Sequence, residues 1–338
     1  MKLKTFIIKG LSKAYKMIFN PTYYDCMKDC KSERQECNDV IFNALENGNP
    51  FMLSRYGSIE MIVTNSIRIK EQKKCYAAKL WDYISDKTDL PWMDERVPLF
   101  ISRNAGVFNP TPEILERFAH LYLEDSNFID ILLSINYKEK FMPLRQDCQF
   151  IHLESAYPFF VDKPWTRALK GKKVLVVHPF SESIKKQYAK RNKLFANSDI
   201  LPEFELKTIK AVQSAAYSKV PFQDWFDALD FMKKQIESVD FDVCLIGCGA
   251  YGLPLAAHVK RMGKQAIHLG GGLQLLFGIK GRRWEVEYKC LAEKGDSGYN
   301  VPFKLNINYY DLFNEYWINP LKEEIPKGSK TIEEGCYW

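Results

Sequence analysis

The sequence of 338 residues lacks any apolar run close to the roughly 20 residues needed to span a bilayer. Its amino-terminal segment has neither a continuous apolar core nor a small-residue cleavage site, so no secretory signal is visible. Internal repeats, low-complexity linkers and long blocks of one charge are also missing, and the net charge of +6 is spread along the chain. We therefore expect a cytoplasmic protein that does not bind nucleic acid.

The cysteines lack the pattern of a disulfide framework. There are nine of them, an odd number, and they are widely scattered. Cys26, Cys30 and Cys37 lie close together in the sequence, but no second pair follows at the spacing of a zinc site. We interpret all nine as reduced thiols.

The composition is that of a globular protein, with 46% hydrophobic and 27% charged residues. The clearest change of character falls near residues 162–170, which suggests two α/β parts flanked by terminal segments. We predict a basic amphipathic helix and connector (1–40), an amino-terminal α/β part (41–163), a Rossmann-like nucleotide-binding half (164–287) and an aromatic tail packed on the core (288–338).

The order of elements predicts the fold class. Between residues 172 and 284 the patterns read strand, helix, irregular segment, helix, strand, helix, strand. The run "KKVLVVHPF" is apolar throughout, as expected of a central parallel strand covered on both faces. An earlier strand, "FMLS", enters a turn at Arg55. We predict a Rossmann-like α/β fold, a mostly parallel sheet with helices on both faces.

A glycine turn carries the first indication of a ligand. Gly247, Gly249 and Gly252 spell G-x-G-x-x-G between a short strand and a helix in "DVCLIGCGAYGLPLAAHVKRMG". The N–H groups at such a helix start favour anions. From residue 265 to 276 no Asp or Glu is present to hold a ribose, which disfavours NAD. Three interpretations of the turn therefore stay open. It binds a sugar nucleotide or another phosphate ligand, it binds a nicotinamide cofactor or a methyl donor, or it is a purely structural connection.

The stretch "LSRYGSIE" is the second informative segment. Arg55 and Glu60 flank a glycine turn just after a strand, where ligands bind in open α/β sheets. Arginine suits a diphosphate, and a glutamate can accept a proton or bind Mn²⁺ or Mg²⁺. The alternative is an ordinary surface ion pair.

Two further groups are candidates for donor binding. His178 ends the central strand ahead of a helix start at Ser181, where the two could bind phosphates; a structural histidine is the alternative. Arg282 and Arg283, in "KGRRW", could stabilise an anionic leaving group, or could lie in a solvated loop.

"RYGSIE", followed much later by the glycine turn and by "QAIHLGGG", resembles the GT-D-fold glycosyltransferases. Arg55, Gly57 and Glu60 match the family's "RFGDGE"-like motif, while Ser58 stands where the family has Asp. The chain is also similar to uncharacterised proteins of bacterial surface-polysaccharide gene clusters, through "HPF", "GIKGRRW" and "GCYW".

The resemblance implies a transferase that moves a sugar from a nucleotide-sugar donor to a glycan or lipid-linked acceptor. Glu60 and Arg55 would be catalytic, with Glu60 also the candidate ligand for Mn²⁺ or Mg²⁺. The predicted donor-binding residues are Gly57, Ser58, His178, Ser181, Gly247, Gly249, Gly252, His268, Gly270, Gly271, Arg282 and Arg283. The alternatives are a non-catalytic nucleotide-sugar-binding or partner protein of the same pathway, and a Rossmann enzyme that uses NAD or S-adenosylmethionine.

Residues 1–19 form a basic amphipathic pattern, with five lysines among large apolar residues. Such a helix can lie on an anionic membrane surface, here the inner face of the membrane, or can dock on the protein core.

Overall fold

The computed structural model describes residues 2–19, 30–136, 139, 142–287, 308–332 and 335–338. Residues 20–22, where an Asn-Pro-Thr sequence is expected to end the amino-terminal helix, lie outside the described residues, as do Cys26 and Cys290. Seven cysteines are described, all as free thiols. No described helix is both long and apolar enough to cross a membrane.

In the described part of the chain, seven strands form one sheet whose paired neighbours are all parallel. The strands are β1 (Phe51–Ser54), β2 (Ile131–Ser134), β3 (Gln149–His152), β4 (Lys173–His178), β5 (Glu205–Lys210), β6 (Val243–Ile246) and β7 (Gln265–His268). Their order across the sheet is β3-β2-β1-β7-β6-β4-β5.

The described α-helices connect and flank these strands. They are α1 (Lys2–Phe19), α2 (Arg34–Glu46), α3 (Ser58–Glu71), α4 (Tyr76–Ile84), α5 (Val97–Phe100), α6 (Pro112–Ser126), α7 (Ser181–Tyr188), α8 (Trp225–Glu237), α9 (Gly252–Arg261) and α10 (Leu273–Leu276).

The core lies on both faces of the sheet, because alternate side chains of a strand point to opposite sides. On β4, Val174 and Val176 belong to the core cluster that includes apolar residues of α2 and α7 on one face. Leu175 and Val177 pack against α3, α6, α8 and α9 on the other. The predicted α/β class, with a parallel sheet and helices on both faces, is confirmed.

The sequence patterns left out one strand of the carboxyl-terminal half. The segment interpreted as irregular contains β5, which pairs with β4 along its whole length. Its sequence, "ELKTIK", has only two apolar residues and lies at the edge of the sheet, so it lacks the continuous apolar run of β4. The single sheet also joins both predicted α/β parts, since β1 pairs with β7.

A buried carboxylate ties the carboxyl-terminal segment to α7. The Glu324 side chain accepts hydrogen bonds from the backbone N–H groups of Glu182 and Ser183, and from Oγ of Ser183. Glu324 is therefore the anion at the start of α7, where N–H groups lack intrahelical partners.

We predict that Glu324→Ala lowers the free energy of unfolding by about 2–3 kcal/mol, because it leaves the buried N–H and hydroxyl of Ser183 and the part-buried N–H of Glu182 without their acceptor. Chemical denaturation measures the change. Glu323→Ala, at the exposed neighbouring position, is the control and should change stability by less than about 0.5 kcal/mol. Equal stability of the two variants would contradict a structural role for the Glu324 carboxylate.

Candidate functional site

A cavity of about 520 Å³ opens at the carboxyl ends of the strands. Its wall contains residues that follow β1, β2, β4, β5, β6 and β7, so most of the sheet contributes to it. This edge is where open α/β sheets bind ligands.

Most of the predicted site residues lie on this one wall. They are Arg55, Gly57, Ser58, Glu60, His178, Gly247, Gly249, His268, Gly270, Gly271 and Arg283. Ser181, Gly252 and Arg282 are not on the wall.

The glycine turn brings backbone close to the cavity. Gly247 continues the strand pairing, since its N–H donates to the carbonyl of Val177 at 3.0 Å. Gly249 has φ +57°, a conformation that glycine adopts without strain, and its missing Cβ would lie 3.3 Å from the carbonyl oxygen of Ala105. A 3₁₀ turn begins at Gly249 and runs directly into α9. The cavity wall therefore includes the start of a helical segment, where N–H groups lack intrahelical acceptors.

Glu60 is a buried carboxylate at the first turn of α3. Its side chain folds back over Gly57, so a side chain at that position would displace the Glu60 carboxylate. Burial raises the pKa of Glu60, while its own backbone N–H and Arg55 act to lower it. Arg55 packs across Gly270, where a Cβ would lie 3.3 Å from Cδ of the arginine.

Two buried histidines on the wall are neutral. His268 has its Nδ1 3.0 Å from Oγ of Ser54, and its ring occupies the space that a side chain at position 252 would need. Burial, reinforced by Arg55, lowers the pKa of His268 to about 3. Burial alone lowers the pKa of His178 to about 3. Because Nδ1 of His178 accepts the Phe180 N–H at 3.0 Å, the ring proton is on Nε2.

These contacts explain the positions of the predicted residues that are off the wall. Gly252 makes room for the His268 ring behind the turn. Ser181 is buried at the start of α7, a helix end whose next two N–H groups are bonded to Glu324. Arg282 donates its backbone N–H to the carbonyl of Trp338 at 3.4 Å.

The carboxyl-terminal residues 335–338 close one side of the cavity. The Tyr337 ring covers Gly271, and a Cβ at Gly281 would lie 2.9 Å from the Tyr337 carbonyl. Arg283 donates from Nη1 to the hydroxyl of Tyr337 at 3.0 Å, and Gln274 donates to the carbonyl of Tyr337 at 3.1 Å. Only glycines allow this close approach.

Several wall residues were not predicted. Besides Tyr337, they include Asn104, Phe180, Gln213, Ser214, Tyr251, Gln274 and Trp338. A signal was present for four of them: Phe180 is in "HPF", Tyr251 is in the glycine turn, and Tyr337 and Trp338 are in "GCYW". Asn104 lies in a short π-helical turn (Ile101–Ala105) and Gln213 in an irregular segment, and the sequence gives no pattern for either.

The residues around Glu60 do not fit a resident divalent cation. Among the described residues, one cluster of three side chains has possible metal-ligand atoms within 4.8 Å of one another. It consists of Glu71, Glu116 and His120, none of which is on the cavity wall. The Glu60 carboxylate instead packs on Gly57 and interacts with Arg55, and Ser58 offers only a hydroxyl.

Comparisons with known proteins give two solved structures. One is described as a highly conserved domain of unknown function 1792 with a distinct glycosyltransferase fold; it is 14% identical, with a TM-score of 0.36, over 90% of this chain and 96% of that chain. A selenomethionine-substituted structure of the same domain is 15% identical, with a TM-score of 0.35 and the same coverage. TM-scores this low do not establish a common fold. No protein-family model and no curated protein matches the sequence.

We predict that His178 makes the folded state more sensitive to acid. Its folded pKa of about 3 is below the unfolded value near 6.5, so its contribution is present above pH 6.5 and lost as the pH falls. His178→Asn keeps an acceptor for the Phe180 N–H but cannot be protonated. From pH 7 to pH 5, the free energy of unfolding of the natural protein should fall by about 2 kcal/mol relative to the variant. If the free energy of unfolding changed with pH in the same way for both proteins, His178 would not be buried in its neutral form.

Proposed function

We propose that the protein is a glycosyltransferase that uses a nucleotide-sugar donor, and that the cavity at the carboxyl edge of the sheet holds this donor. The observation that carries the proposal is the convergence of Arg55, Glu60 and the Gly247–Gly249 turn on one cavity wall. A diphosphate-binding group, a helix start and a proton acceptor are the parts that such a reaction needs.

The donor diphosphate would lie between the turn and the arginines. The N–H groups that start the α9 segment favour an anion, and the Arg55 guanidinium is next to Gly270 on the same wall. Arg283 lies on the wall with Tyr337. These groups would stabilise the negative charge of the departing nucleoside diphosphate without a metal ion.

Glu60 would act as the general base. In the transfer step, the oxygen of an acceptor hydroxyl forms a bond to the anomeric carbon, the bond from that carbon to the diphosphate breaks, and the hydroxyl proton goes to Glu60. A raised pKa brings the carboxyl closer to the range in which a base works best near neutral pH. The pathway would be bacterial surface-polysaccharide synthesis, and the acceptor a glycan or a lipid-linked sugar.

We predict that Gly249→Val abolishes binding of nucleoside diphosphates. At φ +57° a valine is strained, and its side chain would fill space between the turn and the Ala105 carbonyl. Calorimetric titration with uridine and guanosine diphosphates measures the affinity.

Gly263→Val is the matched control for this variant. Gly263 also has a positive φ, of +79°, but its Cβ would meet nothing within 4 Å and it is not on the cavity wall. The control should lose a similar amount of stability, about 1–2 kcal/mol, and keep its affinity. Unchanged affinity in folded Gly249→Val protein would locate the diphosphate elsewhere.

We predict that Glu60→Gln lowers the transfer rate by about 10²–10⁴-fold and leaves donor affinity nearly unchanged, because glutamine keeps the size but cannot accept the proton. The natural enzyme should lose activity as the pH falls through the raised pKa of Glu60. Release of nucleoside diphosphate from nucleotide sugars, in the presence of candidate acceptors, measures the rate.

Glu182→Gln is the control, since Glu182 is an exposed carboxylate that pairs with Lys185. Loss of donor affinity together with the rate would make Glu60 a ligand or positioning residue. Full transfer activity in Glu60→Gln would refute the base assignment. If the natural protein bound donors but turned over none of the nucleotide sugars tested, the result would support the non-catalytic alternative.

A further inference from the structure

Helix α1 packs on the rest of the protein through its polar side. Thr5 and Ser12 are its buried residues, and Thr5 accepts a hydrogen bond from Nε1 of Trp92 at 3.2 Å. Ser12 donates to the carbonyl of Tyr83 at 3.4 Å. Lys16 forms an ion pair with Asp86 at 2.7 Å. These contacts are the reverse of those of an ordinary surface helix, which turns its apolar side inward.

The apolar side of α1 faces outward. The most exposed of its large apolar residues are Phe6 at 76%, Met17 at 77%, and Leu3 and Ile18 at 73% each. Ile7 and Leu11, also exposed, fall in the same sector, which spans roughly 140° of the helix at about 100° per residue. The small residues Gly10 and Ala14 complete it. We call these eight residues the outer face of α1; a contiguous apolar surface of this kind marks an interaction site.

The surroundings of the outer face carry positive charge and aromatic rings. Residues 2–19 contain no Asp or Glu. On the helical wheel, Lys4 and Lys13 lie at its two borders. Trp81 of α4, 54% exposed, contacts the ring of Tyr15 with centroids 5.7 Å apart. Lysines that border an apolar stripe, with a tryptophan nearby, are typical of helices that lie in a membrane interface.

We infer that the outer face of α1 binds the surface of an anionic phospholipid bilayer, with the helix parallel to the membrane. The apolar side chains would enter the boundary of the acyl chains, while the lysines at the borders of the outer face, Lys4 and Lys13, contact the headgroups. A second copy of the chain fits less well, because two outer faces in contact would bring lysine borders together with no acidic residue on α1 to pair with them. This inference does not depend on the proposed transferase activity.

Membrane binding by the outer face of α1 is tested by co-sedimentation of the full-length protein with vesicles. The vesicles are made of phosphatidylcholine, with and without phosphatidylglycerol. We expect binding to the vesicles that contain phosphatidylglycerol and a several-fold loss at high salt, since exposed charges are screened. The double variant Phe6→Glu, Ile18→Glu should reduce partitioning by at least about tenfold, because two side chains lose their transfer into lipid. Both positions are exposed, so the melting temperature should be unchanged.

Phe231→Glu is the matched control, since Phe231 is a 44% exposed phenylalanine on α8. This variant should partition onto vesicles as the natural protein does. Equal partitioning of the natural protein and the double variant would overturn the inference. So would binding that is the same on vesicles with and without phosphatidylglycerol. Self-association that the double variant abolishes, without vesicle binding by either protein, would assign the outer face to contact between copies instead.

Discussion

The pairing of β1 with β7 is the contact on which the candidate site depends. It joins a strand near residue 50 to one near residue 265, in the register Phe51 to Gln265 and Leu53 to Ile267. This register places Ser54 beside His268 and carries Arg55 over Gly270. A slip of one residue would turn the side chains of β1 to the opposite face of the sheet and separate these groups.

Burial has the largest effect on the pKa values of the titratable groups on the cavity wall, and a backbone N–H and Arg55 modify it. Burial alone favours the neutral form of every titratable group, which raises the pKa of Glu60 and lowers that of His268. Arg55 acts against burial at Glu60 and with it at His268. The result is a wall on which the acid can ionise while the imidazoles remain uncharged, an arrangement that suits an anionic ligand next to a proton acceptor.

The sequence predicted β1, β4, β6 and β7 and the helix starts that follow β4 and β6, since apolar runs follow directly from burial. It missed β2 and β3, and it missed β5, whose mainly polar residues belong to a sheet edge. It also placed Ser181 among the phosphate ligands, because the sequence does not show that Glu324, from far along the chain, bonds the N–H groups at that helix end. Most of the predicted wall residues adjoin glycine motifs. Unpredicted residues outside the quoted motifs, such as Asn104 and Gln213, reach the cavity through tertiary packing that no local pattern records.

The cavity has one wall from residues 55–60 and another from residues 335–338. The two segments are separated by most of the sequence, so bringing both to the cavity requires loop closure that is entropically costly. A variant without residues 335–338 could assemble much of the sheet, yet would lack the Tyr337 ring over Gly271. One side of the cavity would then be open, so the proposed donor site is enclosed only when both distant segments are in place.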